Sequence, residues 1–184
     1  MNEKEIISGC LKENRTCQKA LYERYSGKMY ALCLRYARHR LEAEDILQEG
    51  FIRVFEKLHT FKALGSLESW IRRIMINMAI KNYRKLNFNI EHLGLEDYQI
   101  RGVAPDVYSS LSIDELMNLI SELPEGYRIV FNLFVIEGYP HGEIAKMLGI
   151  KESTSRSQLA KARRLIVKRL KQQNEITEWK LKII

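Results

Sequence analysis

Apolar residues recur along this chain every three or four positions, the period of helices that bury one face. From Asn14, an N-cap residue by type, Cys17, Leu21, Tyr25, Met29, Leu32, Cys33 and Tyr36 keep that step, and Ser26-Gly27 weakens the helix without breaking it. Ile46, Leu47, Gly50, Phe51, Val54, Phe55 and Leu58 form a second, broad stripe that predicts a helix from about Glu42 to Leu58. Its opposite side carries Asp45, Gln48, Glu49, Arg53 and Glu56. After a break at Thr60 to Gly65, Ser66 or a neighbour caps a third helix running to Leu86, with Trp70, Ile71, Ile74, Met75, Met78 and Ala79 inward. Arg72, Arg73, Asn77, Lys81, Arg84 and Lys85 fall wholly or partly outside.

From Asn87 to about Ser110 the period dissolves among Gly94, Gly102 and Pro105, which predicts a flexible linker. The linker is locally acidic, with Glu91, Glu96, Asp97 and Asp106 against Arg101. A second helical block follows. Ile113, Leu116, Met117, Ile120 and Leu123 mark a helix ending at Pro124-Glu125-Gly126, and Tyr127 to Ile136 gives the next, stopped by Gly138 and Pro140. Two closely spaced helices, about His141 to Leu148 and Glu152 to Leu170, complete it. No alternating strand pattern and no internal repeat is present, so the expected fold class is all-α. The expected organisation is two small helical domains, 1–86 and 113–172, joined by linker 87–112 and followed by a short amphipathic tail, 173–184.

Composition then narrows the function. The 184 residues hold 30 Lys plus Arg against 23 Asp plus Glu, a net charge of +7. The stretch from Lys151 to Lys171 alone carries eight basic residues against the single acid Glu152, a surplus of seven, so the rest of the chain is close to neutral. The excess belongs to the C-terminal domain and points to a polyanionic partner there. Cys10, Cys17 and Cys33 form no C-x-x-C pair, and His39, His59, His92 and His141 have no ligand spacing. No metal site, cofactor or disulfide scaffold is therefore expected. With no signal-peptide core and no apolar run of ~18 residues, the expected location is the cytoplasm, without membrane insertion.

The helices flanking Gly149 have the proportions of a helix-turn-helix, a short helix, a tight turn containing Gly and a longer helix. Packing Ile144, Ala145 and Leu148 against Leu159, Ala162 and Ile166 would turn the other side of the long helix outward. Thr154, Arg156, Ser157, Ala160, Lys161 and Arg164 would then meet DNA, with cations for phosphates and guanine edges and small residues for close approach.

Leu123-Pro124-Glu125-Gly126-Tyr127-Arg128-Ile129-Val130-Phe131, followed by Gly138 to Ala145 and on to Arg163, resembles the C-terminal domain of extracytoplasmic-function sigma factors. Ala43 to Phe55, with its order Asp-x-x-Gln-Glu-x-Phe, is similar to that family's polymerase-binding helix, and Trp70 to Ile80 to its promoter-melting helix. The resemblance covers roughly residues 15–86 and 113–170. It implies a non-enzymatic initiation factor that binds core RNA polymerase and directs promoter recognition and opening. Asp45, Gln48, Glu49, Ile52, Arg53 and Glu56 would then face the clamp helices of the polymerase largest subunit. Lys62, Ser66, Arg72, Arg73, Asn77, Lys81 and Arg84 would meet the minus-ten element, and the six α-helical candidates from Thr154 to Arg164 the minus-thirty-five element. Phe61 fits the core as well as a base pocket, and Trp70 and Tyr83 fit either role. The resemblance also implies an anti-sigma factor, a class that includes membrane-bound members.

Three departures stand out. Gly50 costs about 1 kcal/mol relative to Ala inside a helix, which close packing would justify. Lys151 replaces a common capping Ser. Ser155 replaces a common buried Val, so its hydroxyl is expected to find a backbone acceptor. Two other readings compete: a helix-turn-helix regulator acting without sigma activity, and a hydrolase using Glu44, Asp45 and Glu49. No second acidic cluster supports the hydrolase, so no catalytic residue is expected.

Overall fold

A computed structural model describes residues 1–93 and 117–172. The predicted helices form where their apolar faces meet. In α2 (Arg15–Tyr36) every residue of the predicted stripe is buried, and the Asn14 side chain accepts the Cys17 N–H at 3.1 Å as the expected cap. Helix α3 (Arg40–Lys57) begins two residues before the predicted start, because the His39 imidazole Nδ1 accepts the Glu42 N–H at 3.1 Å and serves as N-cap. It ends in a 3-10 turn, Leu58–Thr60. Helix α4 (Leu67–Leu93) is capped by Ser66, whose hydroxyl accepts the Ser69 N–H at 3.1 Å.

Two features depart from expectation. A short helix, α1 (Glu3–Leu11), precedes α2. It starts at a capping box in which the Asn2 side chain accepts the Glu5 N–H and the Glu5 carboxylate accepts the Asn2 N–H, both at 2.8 Å. Helix α4 also continues past Leu86 to Leu93, so the predicted linker start at Asn87 lies within a helix. Residues 87–93 contain neither Gly nor Pro, and the first breaker is Gly94. The rest of the expected linker, 94–112, the expected start of the second domain at 113–116 and the 173–184 tail lie outside the described residues.

The chain divides into two compact units, Met1–Leu95 and Glu96–Ile184. In the first, α2, α3 and α4 pack mutually around Leu21, Met29, Val54, Ile71 and Met75, with α1 against α2. In the second, a helical segment at 117–121 (α5) leads to α6 (Glu125–Phe131), a π-helical turn (Asn132–Ile136), α7 (His141–Leu148) and α8 (Glu152–Gln172). Arginines close the end of α5: Arg128 donates to the Ser121 carbonyl at 3.2 Å, and Arg169 to those of Leu119 and Glu122 at 3.4 and 3.3 Å. These bonds satisfy carbonyls that a helix end leaves open. No strand occurs among the described residues.

Candidate protein and nucleic-acid interfaces

All six candidates on α3, Asp45, Gln48, Glu49, Ile52, Arg53 and Glu56, are exposed. Arg53 reaches Glu56 at 2.7 Å, one turn on. Ile52 is 60% exposed, and Leu41, which the sequence reading passed over, is 69% exposed. The two stand eleven positions apart, about three helical turns, so they lie on one face with Asp45 and Gln48 between them. Acidic and amide groups framed by two bare aliphatic side chains suit a protein partner; carboxylates repel a phosphate backbone.

That face is held rigidly from behind. A Cβ on Gly50 would stand 2.2 Å from Met75 Sδ, so the glycine lets α3 and α4 approach closely. Glu42 is buried, with its carboxylate accepting the Arg38 N–H at 2.6 Å, the Arg38 Nε–H at 3.2 Å and the Asn82 amide at 2.6 Å. This network joins the first turn of α3 to α4. A cleft of about 460 Å³ opens beside it, reached by Gln48, Glu49 and Ile52 on one side and Met78 and Lys85 on the other.

Between the 3-10 turn and α4, Phe61 and Trp70 are half-buried with ring centroids 5.6 Å apart, so both pack on each other beneath the loop. Lys62 and Ser66 are exposed, the Ser66 hydroxyl being engaged as the α4 cap. Ala63 takes a left-handed conformation (φ +54°), and next to it Leu64 is 91% exposed. Such an apolar tip is absent from the sequence-based candidates because it depends on the loop's backbone course. Along α4, Arg73, Asn77, Lys81 and Arg84 are exposed and spaced by three or four residues, making one polar and cationic line; Arg72 beside them is half-buried.

In the second unit, α7 ends at Gly149 (φ +71°), and the Ile150 N–H returns to the Ala145 carbonyl at 3.1 Å. The left-handed residue makes the sharp turn that glycine takes without strain. Ile144, Ala145 and Leu148 of α7 and Leu159, Ala162 and Ile166 of α8 are all buried. On the outer side Arg156, Ser157, Ala160, Lys161 and Arg164 are exposed and Thr154 half-buried. Arg156 pairs with Glu152 one turn earlier, and the Lys161 ammonium lies 5.9 Å over the Tyr127 ring. Ser155 is the correction here. Its buried hydroxyl meets His141 Nδ1 at 2.9 Å instead of a backbone acceptor.

Nothing among the described residues gathers three or more His, Cys, Asp or Glu side chains into a metal-binding group. The cysteines are buried free thiols; burial pushes Cys33 up to about 12, and burial followed by the neighbouring Cys17 pushes Cys10 up to about 11. Neither is a thiolate at neutral pH.

The two units match two regions of one family. Residues 21–88 match the model described as Sigma-70 region 2, and residues 113–166 that described as Sigma-70, region 4. The ECF RNA polymerase sigma factor SigW of Bacillus subtilis is 31% identical over 159 residues, which cover 80% of this chain and 85% of that one. The ECF RNA polymerase sigma-E factor of Haemophilus influenzae is 25% identical over 179 residues, covering 90% and 94%. The sigma factor RpoE of Bartonella quintana, solved in complex with the anti-sigma factor NepR, shares the fold at a TM-score of 0.55 and 20% identity, over 83% of this chain and 96% of that chain. With both regions present in order and a relative of this identity aligned over most of its length, the chain belongs to the extracytoplasmic-function RNA polymerase sigma factors.

Proposed function

We propose that this sigma factor divides its work among three surfaces. The α3 face, Leu41, Asp45, Gln48, Glu49, Ile52, Arg53 and Glu56, docks on the clamp helices of core RNA polymerase. The loop carrying Lys62, Leu64 and Ser66, continued by Arg72, Arg73, Asn77, Lys81 and Arg84 of α4, captures the melted minus-ten element. A base leaving the stack costs a few kcal/mol, which loop contacts offset. In the second unit, Thr154, Arg156, Ser157, Ala160, Lys161 and Arg164 enter the major groove of the minus-thirty-five element. Opening follows from preferential binding of separated strands, so the chain itself performs no hydrolysis and needs no cofactor or metal.

One observation carries this reading: the exposed side of α3 mixes the carboxylates of Glu44, Asp45, Glu49 and Glu56 and the aliphatics Leu41 and Ile52 with Arg40, Arg53 and Lys57, whereas on α4 as far as Leu86 and on α8 the exposed charges are cationic apart from Glu152. The first set suits protein and the second nucleic acid. An anti-sigma factor that covers the α3 face is the expected regulator, in line with the partner in the RpoE structure. No helix among the described residues is long and apolar enough to cross a membrane, and the protein works in the cytoplasm, where polymerase is.

The test is transcription by purified core polymerase on sheared genomic DNA, with and without the protein, with start sites mapped. Protein-dependent starts downstream of a shared pair of motifs are expected. Core polymerase that neither binds the protein nor gains specific starts would overturn the reading in favour of a helix-turn-helix regulator acting alone.

A further inference from the structure

The first turn of α8 carries Thr154 and leads directly into Arg156 and Ser157, three of the side chains proposed to read DNA, yet few buried side chains hold it. Of residues 152–155 only Ser155 is buried, and it is 0% exposed. The apolar anchors Leu159, Ala162 and Ile166 all lie further along the helix. The Ser155 hydroxyl bonds His141 Nδ1 at 2.9 Å, joining the first turn of α8 to the first residue of α7. The His141 ring is itself fixed, stacked on Phe134 of the π turn with centroids 4.3 Å apart and planes at 20°.

We infer that His141 and Ser155 are a positioning pair for promoter recognition: the bond seats the first turn of α8 on α7 and so sets where Thr154, Arg156 and Ser157 meet the DNA. The inference rests on the proposed reading of α8 as the minus-thirty-five helix. Neither residue needs to touch DNA. A hydrogen bond suits this task because it is directional, whereas the apolar contacts downstream tolerate rotation and sliding of the helix end.

The pair also carries a proton dependence. The charged groups facing the ring are Arg156, Glu152 and Arg163 of α8, and the π turn contributes the uncharged Phe134. Burial first, and then Arg156, lower the His141 pKa below its usual 6.5, with Glu152 opposing. Folding thus favours the neutral ring. As pH falls through 6.5 the unfolded chain takes up the proton first, so stability held above that pH is lost on acidification.

The test uses full-length protein with core polymerase on a promoter from the start-site map, with its upstream element intact or scrambled. Ser155→Ala and His141→Leu are each expected to weaken upstream-element-dependent binding about tenfold, and the double variant no further, because the two act as a unit. His141→Asn, whose amide can reach the same hydroxyl, is expected to restore most of the affinity. Between pH 7.5 and 5.5 the wild-type melting temperature is expected to fall more than that of His141→Asn. Thermal melts of each variant at both pH values separate lost folding from lost positioning. Wild-type function with variants that bind normally, or that lose affinity equally on the scrambled promoter, would overturn the pair. A wild-type chain giving no core-dependent starts would overturn the functional reading, and the pair with it.

Discussion

Helices α3 and α8 are both amphipathic and both show polar outer faces, yet on the proposed reading they meet opposite partners. On α3 two aliphatic side chains, Leu41 and Ile52, are left in solvent among carboxylates and amides. On α8 the outer face has no large apolar group; small residues alternate with arginine and lysine. Burying Ile52 against a protein releases water from apolar surface, an interaction that hardly depends on salt. Arg156 and Arg164 against phosphate would gain mostly from counterion release, which salt weakens steeply. On the proposed reading, clustered positive charge marks the nucleic-acid surface, and exposed aliphatics inside a charged face mark the protein surface.

The largest effect that would break this contrast is expected on α3. Glu49→Lys combined with Ile52→Asp should weaken core polymerase binding on the order of 100-fold, by analogy with central interface residues. Its melting temperature should not change, since both positions are exposed. Retained affinity in a binding titration would remove the protein-facing role. Next, Gly50→Val should cost the first unit about 2 kcal/mol in chemical denaturation, because the added methyls enter the space of Met75 Sδ. Arg164→Ala on α8 should weaken upstream-element binding about tenfold and reduce the salt slope by about one, without touching core affinity. Smallest, Glu13→Gly should stabilise the first unit by roughly 0.5–1 kcal/mol, because Glu13 sits at φ +58° in the turn between α1 and α2. A destabilised Glu13→Gly protein would mean that the Glu13 side chain compensates for its backbone.

Much of this was legible in the sequence. The periodic stripes placed α2, α3, the first part of α4, α7 and α8, because each buries a continuous face against a neighbour. Helix α1 escaped that reading because only Ile6 and Cys10 are buried in it, and its clearest signal is the Asn2-x-x-Glu5 cap. Leu41 escaped because the predicted α3 started at Glu42; a cap at His39 brings it onto the Ile52 face. The packing need for Gly50 was foreseeable, its partner Met75 was not. Ser155's partner was out of reach in principle, since His141 is a whole helix and a turn away and only tertiary packing brings the two side chains together. The exposed faces themselves were readable: every α3 and α8 candidate is exposed or half-buried.

The most direct test of the division of labour is a photo-crosslinker placed at position 52, 77 or 160 of otherwise native protein in a promoter complex with core polymerase. The account predicts that position 52 crosslinks the polymerase largest subunit and not DNA, position 77 the minus-ten region, and position 160 the upstream element. Crosslinks from position 52 to DNA, or from position 160 to polymerase alone, would contradict it.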